Sequence, residues 1–277
     1  MSDRPVRAPK PQIVLEVIRR EQLSPHLVRL YLGGDGFASF VNNDLTDRYV
    51  KIFFAHPELG LQPPYDMAAL RERLTRDELP VTRTYTVREV NDAEQWLSID
   101  FVVHGDEGLA APWAARAEPG DRIAFTGPGG GYRPNPEADW HLLAGDESAL
   151  PAIGAALEAM PEEAIGVAFI EVGGADDQIA LSAPAGIDIR WLHRGAAPAG
   201  SSSILADTVA AFEWMPGQVQ VFAHGERESM KALREVFFGQ RGLDRGQVSL
   251  SGYWAYGRTE DRFQAEKREP IGQILAP

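Results

Sequence analysis

Two regimes of hydrophobic patterning divide the chain. Through the first half, short runs of branched and aromatic residues recur between turn residues, at 13–18, 27–32, 49–54, 82–87, 96–103 and 122–126. Runs of this length and spacing predict strands, and their number predicts a small antiparallel barrel or sandwich. A stretch with a charged outer face at 67–76 predicts one helix among them, and Pro119-Gly120-Asp121 predicts a turn before the last strand. From Trp140 onward the pattern alternates. Apolar runs at 141–144, 167–172, 189–192 and 219–223 read as strands, whereas the alanine-rich 149–160 and the segment 227–238 read as helices. That alternation predicts an α/β domain with a mostly parallel sheet and helices on its faces. The regimes meet in a glycine- and proline-dense segment, 127–136, so the expected domains are 1–136 and 137–277. Residues 195–203 are expected to form a mobile loop.

Length and composition fit this division. A chain of 277 residues with 44% hydrophobic content is long enough for two domains and apolar enough for two cores. Formal charge is −13, which ranks nucleic-acid and anionic-membrane partners far behind small molecules. The imbalance is uneven: residues 1–133 carry 16 basic and 19 acidic groups, residues 134–277 carry 11 and 21. No apolar run approaches the roughly 18 residues of a membrane span, and the basic N-terminal residues are followed by no apolar stretch, so neither stable membrane association nor a secretory leader is expected. A cytoplasmic location is the resulting expectation. Cysteine is absent, which excludes disulfides, thiolate metal sites, iron–sulfur clusters and cysteine nucleophiles together. No resident metal is expected.

Three segments carry candidate chemistry. In Arg83-Thr84-Tyr85-Thr86-Val87-Arg88, strand geometry puts Arg83 and Tyr85 on one face. An arginine fork beside an aromatic plate suits a planar, phosphorylated ligand, although an ordinary amphipathic strand meets the same pattern. Asp100-Phe101-Val102-Val103-His104-Gly105 leads into Gly108-Leu109-Ala110-Ala111-Pro112-Trp113, where small residues at a loop-to-helix junction let backbone N–H groups approach an anion. His104 reads equally well as a structural histidine. Gly145-Asp146-Glu147-Ser148 joins the first strand of the second half to its helix, where such sheets hold nucleotides, but without a Gly-x-Gly-x-x-Gly fingerprint.

Together with Pro119-Gly120-Asp121, His224-Gly225-Glu226 and Gly252-Tyr253-Trp254 before Gly257, these segments resemble the siderophore-interacting proteins, in the same order over roughly residues 12–260. The resemblance implies a Greek-key barrel carrying FAD, followed by a domain for NADH or NADPH, in a ferredoxin-reductase-like layout. It also implies reduction of a ferric siderophore. On the residues that match, it assigns Arg83 to the FAD phosphates, Tyr85 to stacking on the isoalloxazine and Thr86 to its reactive N5. Tyr85 and Thr86 are the residues expected at the reacting flavin. Asp100, Val102 and His104 would line the flavin, and Ala110, Ala111 and Trp113 would sit near the pyrophosphate. Gly145, Asp146, Glu147, Ser148, Gly225 and Glu226 would face the nicotinamide nucleotide. Strand alternation puts Thr86 on the opposite face from Tyr85, so its role comes from the resemblance alone. The chain departs from the family pattern at Ser148, where threonine is usual, at Arg227 and Glu228, where small residues are common, and at Ala255 and Tyr256, where basic residues are common.

Such a protein needs no nucleophile, because the cofactor carries the chemistry and the protein orients it. Rival readings are another NAD(P)H-flavin reductase on the same scaffold, acting on free flavin, quinone or an electron-carrier protein, and a siderophore-binding protein without flavin. A hydrolase would need a Gly-x-Ser-x-Gly elbow, which does not occur. Nucleotide preference stays open: Glu171 suits a ribose 2′-hydroxyl, whereas Arg190, His193 or Arg194 suits a 2′-phosphate. Lysine is scarce, at 10, 51, 231 and 267 only, and Lys51 alone lies in an expected barrel strand. An anionic ferric chelate approaching a chain of this charge requires a local cationic pocket, for which Lys51, Arg133, Arg258 and Lys267 are the candidates. Lys51 also fits an edge strand guarded against aggregation.

Overall fold

Alternation decides the first element. In β1 (Ile13–Ser24) the side chains of Ile13, Leu15 and Val17 are buried while Glu16 and Ile18 face outward, as a strand with one covered face requires. A computed structural model describes residues 11–103 and 108–275. β1 is joined by β2 (Leu27–Gly33), β3 (Tyr49–Phe54), β4 (Val81–Asn91), β5 (Trp96–Val102) and β6 (Arg122–Gly129) in a closed barrel of order β1-β2-β5-β4-β3-β6. All its pairs are antiparallel. Leu15, Leu30, Leu32, Val50, Ile52, Leu97, Ile99, Phe101 and Phe125 fill its interior. Closure leaves no free edge, so Lys51 guards no edge strand, and that reading falls. Helix α1 (Met67–Arg71) is shorter than expected because only Leu70 finds a buried place. Helix α2 (Ala110–Arg116) packs Ala110 and Ala114 against the barrel core.

The second half is the expected parallel sheet. β7 (Trp140–Gly145), β8 (Ile165–Val172), β9 (Gly186–His193), β10 (Val219–Glu226) and β11 (Val248–Trp254) lie in the order β11-β10-β7-β8-β9, all parallel. Helix α3 (Leu150–Ala159) covers one face, and α4 (Ile204–Ala211) and α5 (Arg227–Arg234) cover the other. The expected single helix over 227–238 is α5 followed by a π-helical turn, Glu235–Gln240. The segment expected to be mobile, 195–203, is a series of hydrogen-bonded turns, and a Cβ at Gly200 would meet the Trp254 ring at 2.7 Å. A last helix, α6 (Glu260–Glu266), returns to the barrel. No described helix is long and apolar enough to cross a membrane.

The two halves share a core. Leu27, Val102 and Tyr132 pack into the cluster under α3, with Leu150, Ile153 and Phe222. Polar contacts cross the same seam: Arg88 donates to Glu158 of α3, and His26 Nδ1 lies 2.8 Å from Asp177 Oδ1. Helix α3 and the segment after β8 are thereby held against the barrel.

Candidate active site

Register divides β4 between two surfaces. Tyr85 pairs with Val50 and Arg83 with Ile52, both core residues, whereas Thr84 pairs with Lys51 and Thr86 with Tyr49. Thr86 therefore does lie on the face opposite Tyr85.

On the first surface the Tyr85 ring centroid lies 4.3 Å from that of Phe101 at 39°. Phe101 and Phe54 in turn meet Trp113 of α2, at 6.1 and 5.7 Å. Burial pushes the Tyr85 phenol well above its ordinary value, so the ring is a neutral plate. Beside it both Arg83 terminal nitrogens donate to the Asp261 carboxylate at 3.1 Å. The Arg83 side chain is 19% exposed and that of Asp261 68%. An ion pair with so exposed a partner contributes about 1 kcal/mol or less, so a ligand phosphate can take the fork. An aromatic plate beside an exchangeable guanidinium fits a flavin dinucleotide.

The second surface carries Tyr49, Lys51, Thr84 and Thr86. Lys51 Nζ donates to Thr84 Oγ1 at 3.2 Å and lies 5.9 Å from the Tyr49 ring centroid. Lys267, one residue beyond α6, holds Nζ 4.6 Å over the Phe263 ring. Partial desolvation lowers its pKa, with the nearby Lys51 charge pushing the same way. Thr86 is 7% exposed; burial pushes the Tyr253 phenol of β11 well up, with the Thr86 hydroxyl pulling the other way. Tyr253 Oη is 2.9 Å from His224 Nδ1, and His224 Nε2 is 2.9 Å from Ser249 Oγ. Burial drops His224 to about 3, so the imidazole is neutral.

The third surface is the carboxyl edge of the sheet. Gly145 brings β7 close to its neighbours: a Cβ there would sit 2.7 Å from the His224 carbonyl oxygen and 2.6 Å from Ala149 Cβ. Gly225, at φ 151°, would drive a Cβ into the Asp146 carboxylate. Asp146 accepts from the Ser148 and Glu226 backbone N–H groups at 2.9 and 2.8 Å and from Trp254 Nε1 at 2.9 Å. Glu147 accepts from Arg194 at 2.6 Å and from the Gly173 N–H at 3.1 Å. Glu226 caps α5 by accepting from the Glu228 and Ser229 N–H groups at 2.6 and 3.0 Å. Glu171, 4% exposed, has no hydrogen-bonding partner among the described residues. Burial, and then the Asp146 charge, push it up to about 7.

Other expected site residues fall elsewhere. Asp100 is held by Arg29 at 2.6 and 2.8 Å with its side chain 1% exposed, and Val102 packs into the shared core. His104 lies outside the described residues. Ala110 is buried, Ala111 is half-buried, and Trp113 joins the aromatic plate. Arg133 lines a 320 Å³ cleft with Gln220, Arg245 and Gln247 at the amino ends of β10 and β11, away from Tyr253. Arg258 is bound to Glu266 at 2.9 Å. Arg190 bonds Asp188 at 2.6 Å and His193 Nε2 lies 2.7 Å from Gln178 Nε2. Arg227, one of the departures from the family pattern, is 3% exposed and donates to Glu266. Sequence reasoning assigned no role to Asp261, Glu266 or Tyr253. Of these only Tyr253 had a signal, as a member of the quoted motif Gly252-Tyr253-Trp254. Among the described residues no group of three or more His, Asp or Glu is arranged to hold a metal ion.

Two family models match the chain. Residues 16–132 match the siderophore-interacting FAD-binding domain, and residues 138–257 match the siderophore-interacting protein domain. The chain is 34% identical over 263 residues to the ferric vibriobactin reductase ViuB of Vibrio cholerae, covering 92% of this chain and 93% of that protein. It is 28% identical to the NADPH-dependent ferric-chelate reductase of Escherichia coli, covering 87% and 91%. A siderophore utilization protein from T. fusca superposes with a TM-score of 0.80 at 37% identity, covering 91% of this chain and 95% of that one. The chain belongs to the siderophore-interacting protein family.

Proposed function

We propose that the protein is an FAD-dependent ferric-siderophore reductase that takes electrons from NADH or NADPH. The chemistry would be the cofactor's: FAD at the barrel would supply hydride acceptance from reduced nicotinamide and one-electron donation to Fe(III). Arg83 holds its phosphates in place of Asp261, Tyr85 supports the ring system, and Thr86 meets N5. Ala110, Ala111 and Trp113 belong to the helix beside the pyrophosphate. The loop 145–148, with Gly225 and Glu226, receives the nicotinamide nucleotide. Residues 1–136 carry the flavin and residues 137–277 the reductant.

The observation that carries this reading is the shared face of Lys51, Thr84 and Thr86, with Lys267 close to Lys51. Thr84 and Thr86 are two strand positions apart, about 7 Å. An anionic ferric chelate held by the lysines therefore lies within electron-transfer reach of a flavin at Thr86. Siderophores bind Fe(III) through hard oxygen donors and hold the less charged Fe(II) far more weakly, so one-electron reduction releases the metal and leaves the chelator intact. The setting is cytoplasmic, and an electron-carrier protein is a further candidate partner.

Anaerobic stopped-flow tests the proposal. The purified protein should be yellow, be bleached by NADH or NADPH, and be reoxidised faster by ferric siderophores than by ferredoxin or free flavin. Faster reoxidation by either of the latter would assign the protein to a different reductase activity. Failure to bind flavin on reconstitution would remove the enzymatic reading.

A further inference from the structure

The sheet edge holds one carboxylate that its own structure does not use. Gly145 of β7 is paired with Ile170 of β8, so Glu171 stands one residue further along, beside the loop 145–148. Asp146, Glu147 and Glu226 accept from backbone, indole and guanidinium donors, whereas Glu171, 4% exposed, accepts from no described group. Its oxygens are not among the fully enclosed, unpartnered polar atoms of the described residues, so the carboxylate opens at the edge. A buried acceptor left without a donor costs free energy that a ligand's hydroxyl recovers. We propose that Glu171 sets the choice of reductant: it accepts from the 2′-hydroxyl of the adenosine ribose and thereby selects NADH over NADPH. The inference rests on the reading of this edge as the nucleotide site.

Topology puts this carboxylate where a dinucleotide's ribose arrives. The strand order reverses between β7 and β10, and β7, α3 and β8 form the βαβ unit beside that reversal. Ligands of such sheets lie across the carboxyl ends of the strands at the reversal, and an acidic side chain about 20 residues past the first turn accepts from the ribose. Glu171 follows Gly145 by 26 positions and ends the second strand of the unit. It lies on the face of β8 that carries Val167 and Phe169, under α4.

The basic groups that would hold a 2′-phosphate are engaged or misplaced. Arg194 donates to Glu147 at 2.6 Å, with the two side chains only 11% and 10% exposed. Withdrawing it would leave Glu147 as a buried, unpaired charge, unlike Arg83, whose partner is solvated. Arg190 shares the face of Glu171 but pairs with Phe169, two positions further from the edge, and its guanidinium lies 5.6 and 5.2 Å from the Phe169 and Phe212 ring centroids. His193 pairs with Val172 and so faces the other side of the sheet. The charges that act on Glu171 are those of Asp146, Glu147 and Glu226, with Arg194 opposing them. A 2′-phosphate would bring two further negative charges into this set, and a ribose hydroxyl brings none.

The test uses the full-length, FAD-loaded protein. Titration calorimetry gives Kd for NAD+ and NADP+, and anaerobic stopped-flow gives the rates of flavin reduction by NADH and NADPH. Wild type should bind NAD+ at least about tenfold more tightly than NADP+ and be reduced faster by NADH. Glu171→Gln keeps the size of the side chain and removes its charge. It should weaken NAD+ up to about tenfold and tighten NADP+, moving the two in opposite directions. Glu171→Asp keeps the charge on a shorter stem, so it should weaken NAD+ and still reject NADP+. Burial, and then the Asp146 charge, hold the Glu171 carboxyl up to about 7, and accepting a hydroxyl favours its ionised form. NAD+ binding at pH 7 should therefore release a fraction of a proton in wild type that is missing in Glu171→Gln. Equal weakening of both nucleotides in Glu171→Gln would make Glu171 a support of the loop only and overturn the inference. Equal affinities in wild type, or tighter NADP+, would overturn it as well, and in each of these cases the nucleotide site itself stands. If neither nucleotide binds or reduces the flavin, the reading of this edge falls and the inference falls with it.

Discussion

The barrel face around Lys51 and the carboxyl edge of the parallel sheet carry opposite charges and treat them in opposite ways. At the sheet edge, Asp146, Glu147 and Glu226 are spent on backbone N–H groups, an indole and a guanidinium. Their charge organises the loop, and Glu171, with nothing to accept from, is held toward its protonated form. On the barrel, Lys51 is exposed and, among the described residues, hydrogen-bonds only to a threonine hydroxyl, with Lys267 adding charge nearby. One region consumes its charge in building itself. The other keeps it available. On the proposed function, an anionic iron chelate would accordingly be drawn to the barrel face and repelled from the sheet edge, which would separate the exit of electrons from their entry.

The largest expected effect is at the phosphate fork. Arg83→Ala should weaken FAD binding about ten- to hundredfold, as measured by flavin fluorescence, because a charge-assisted contact of this type contributes roughly 1.5–3 kcal/mol. Retention of full flavin after extensive dialysis would remove Arg83 from the site.

The second effect bears on the acidic edge. With a folded pKa of about 7 against an ordinary 4.5, Glu171 binds its proton more tightly when folded. Its stabilising share is therefore complete below about pH 4.5 and is lost as pH rises through 7. Glu171→Gln, neutral throughout, should be more stable than wild type at pH 8 by about 1–2 kcal/mol after allowance for solvent screening, a few degrees in Tm. The two proteins should converge below about pH 4.5. A difference that does not vary with pH would mean that Glu171 is not held in this way.

A smaller effect concerns the competing carboxylate. Asp261→Asn frees Arg83 from an exposed ion pair and should tighten FAD up to about fivefold, with the gain shrinking as salt is added. Weaker binding in the variant would make Asp261 a support for the flavin and not a competitor.

The barrel and the sheet differ also in how far the sequence revealed them. β3 matches its expected bounds, β5 ends one residue early, and the other barrel strands were found but run past their expected ends, β1 by six residues, because apolar alternation there reflects one closed core. Helix α6 gave no such sign. It buries Phe263 and, unusually, Glu266, whose carboxylate accepts from Arg227, Arg258 and Arg262 and is held down to about 2, first by the Arg227 hydrogen bond. A helix seated on charge has no apolar stripe to read. β11 did have a period of two in Val-Ser-Leu-Ser, broken by Gly252, and was visible only as a family motif. The site behaved likewise. Arg83, Tyr85 and Thr86 were legible as a strand hexamer. The partner that holds Arg83, Asp261, lies 178 positions away in sequence and is joined to it only by the fold.

The separation of charge is tested most directly by the two half-reactions of Lys51→Ala in anaerobic stopped-flow. Reduction by NADH or NADPH should match wild type. Reoxidation by an anionic ferric siderophore should slow, and its dependence on salt should be shallower than in the wild type, whose exposed lysine is screened over about 8–10 Å at physiological ionic strength. Equal salt slopes with unchanged reoxidation would contradict the assignment of the barrel face as the docking site of the iron chelate.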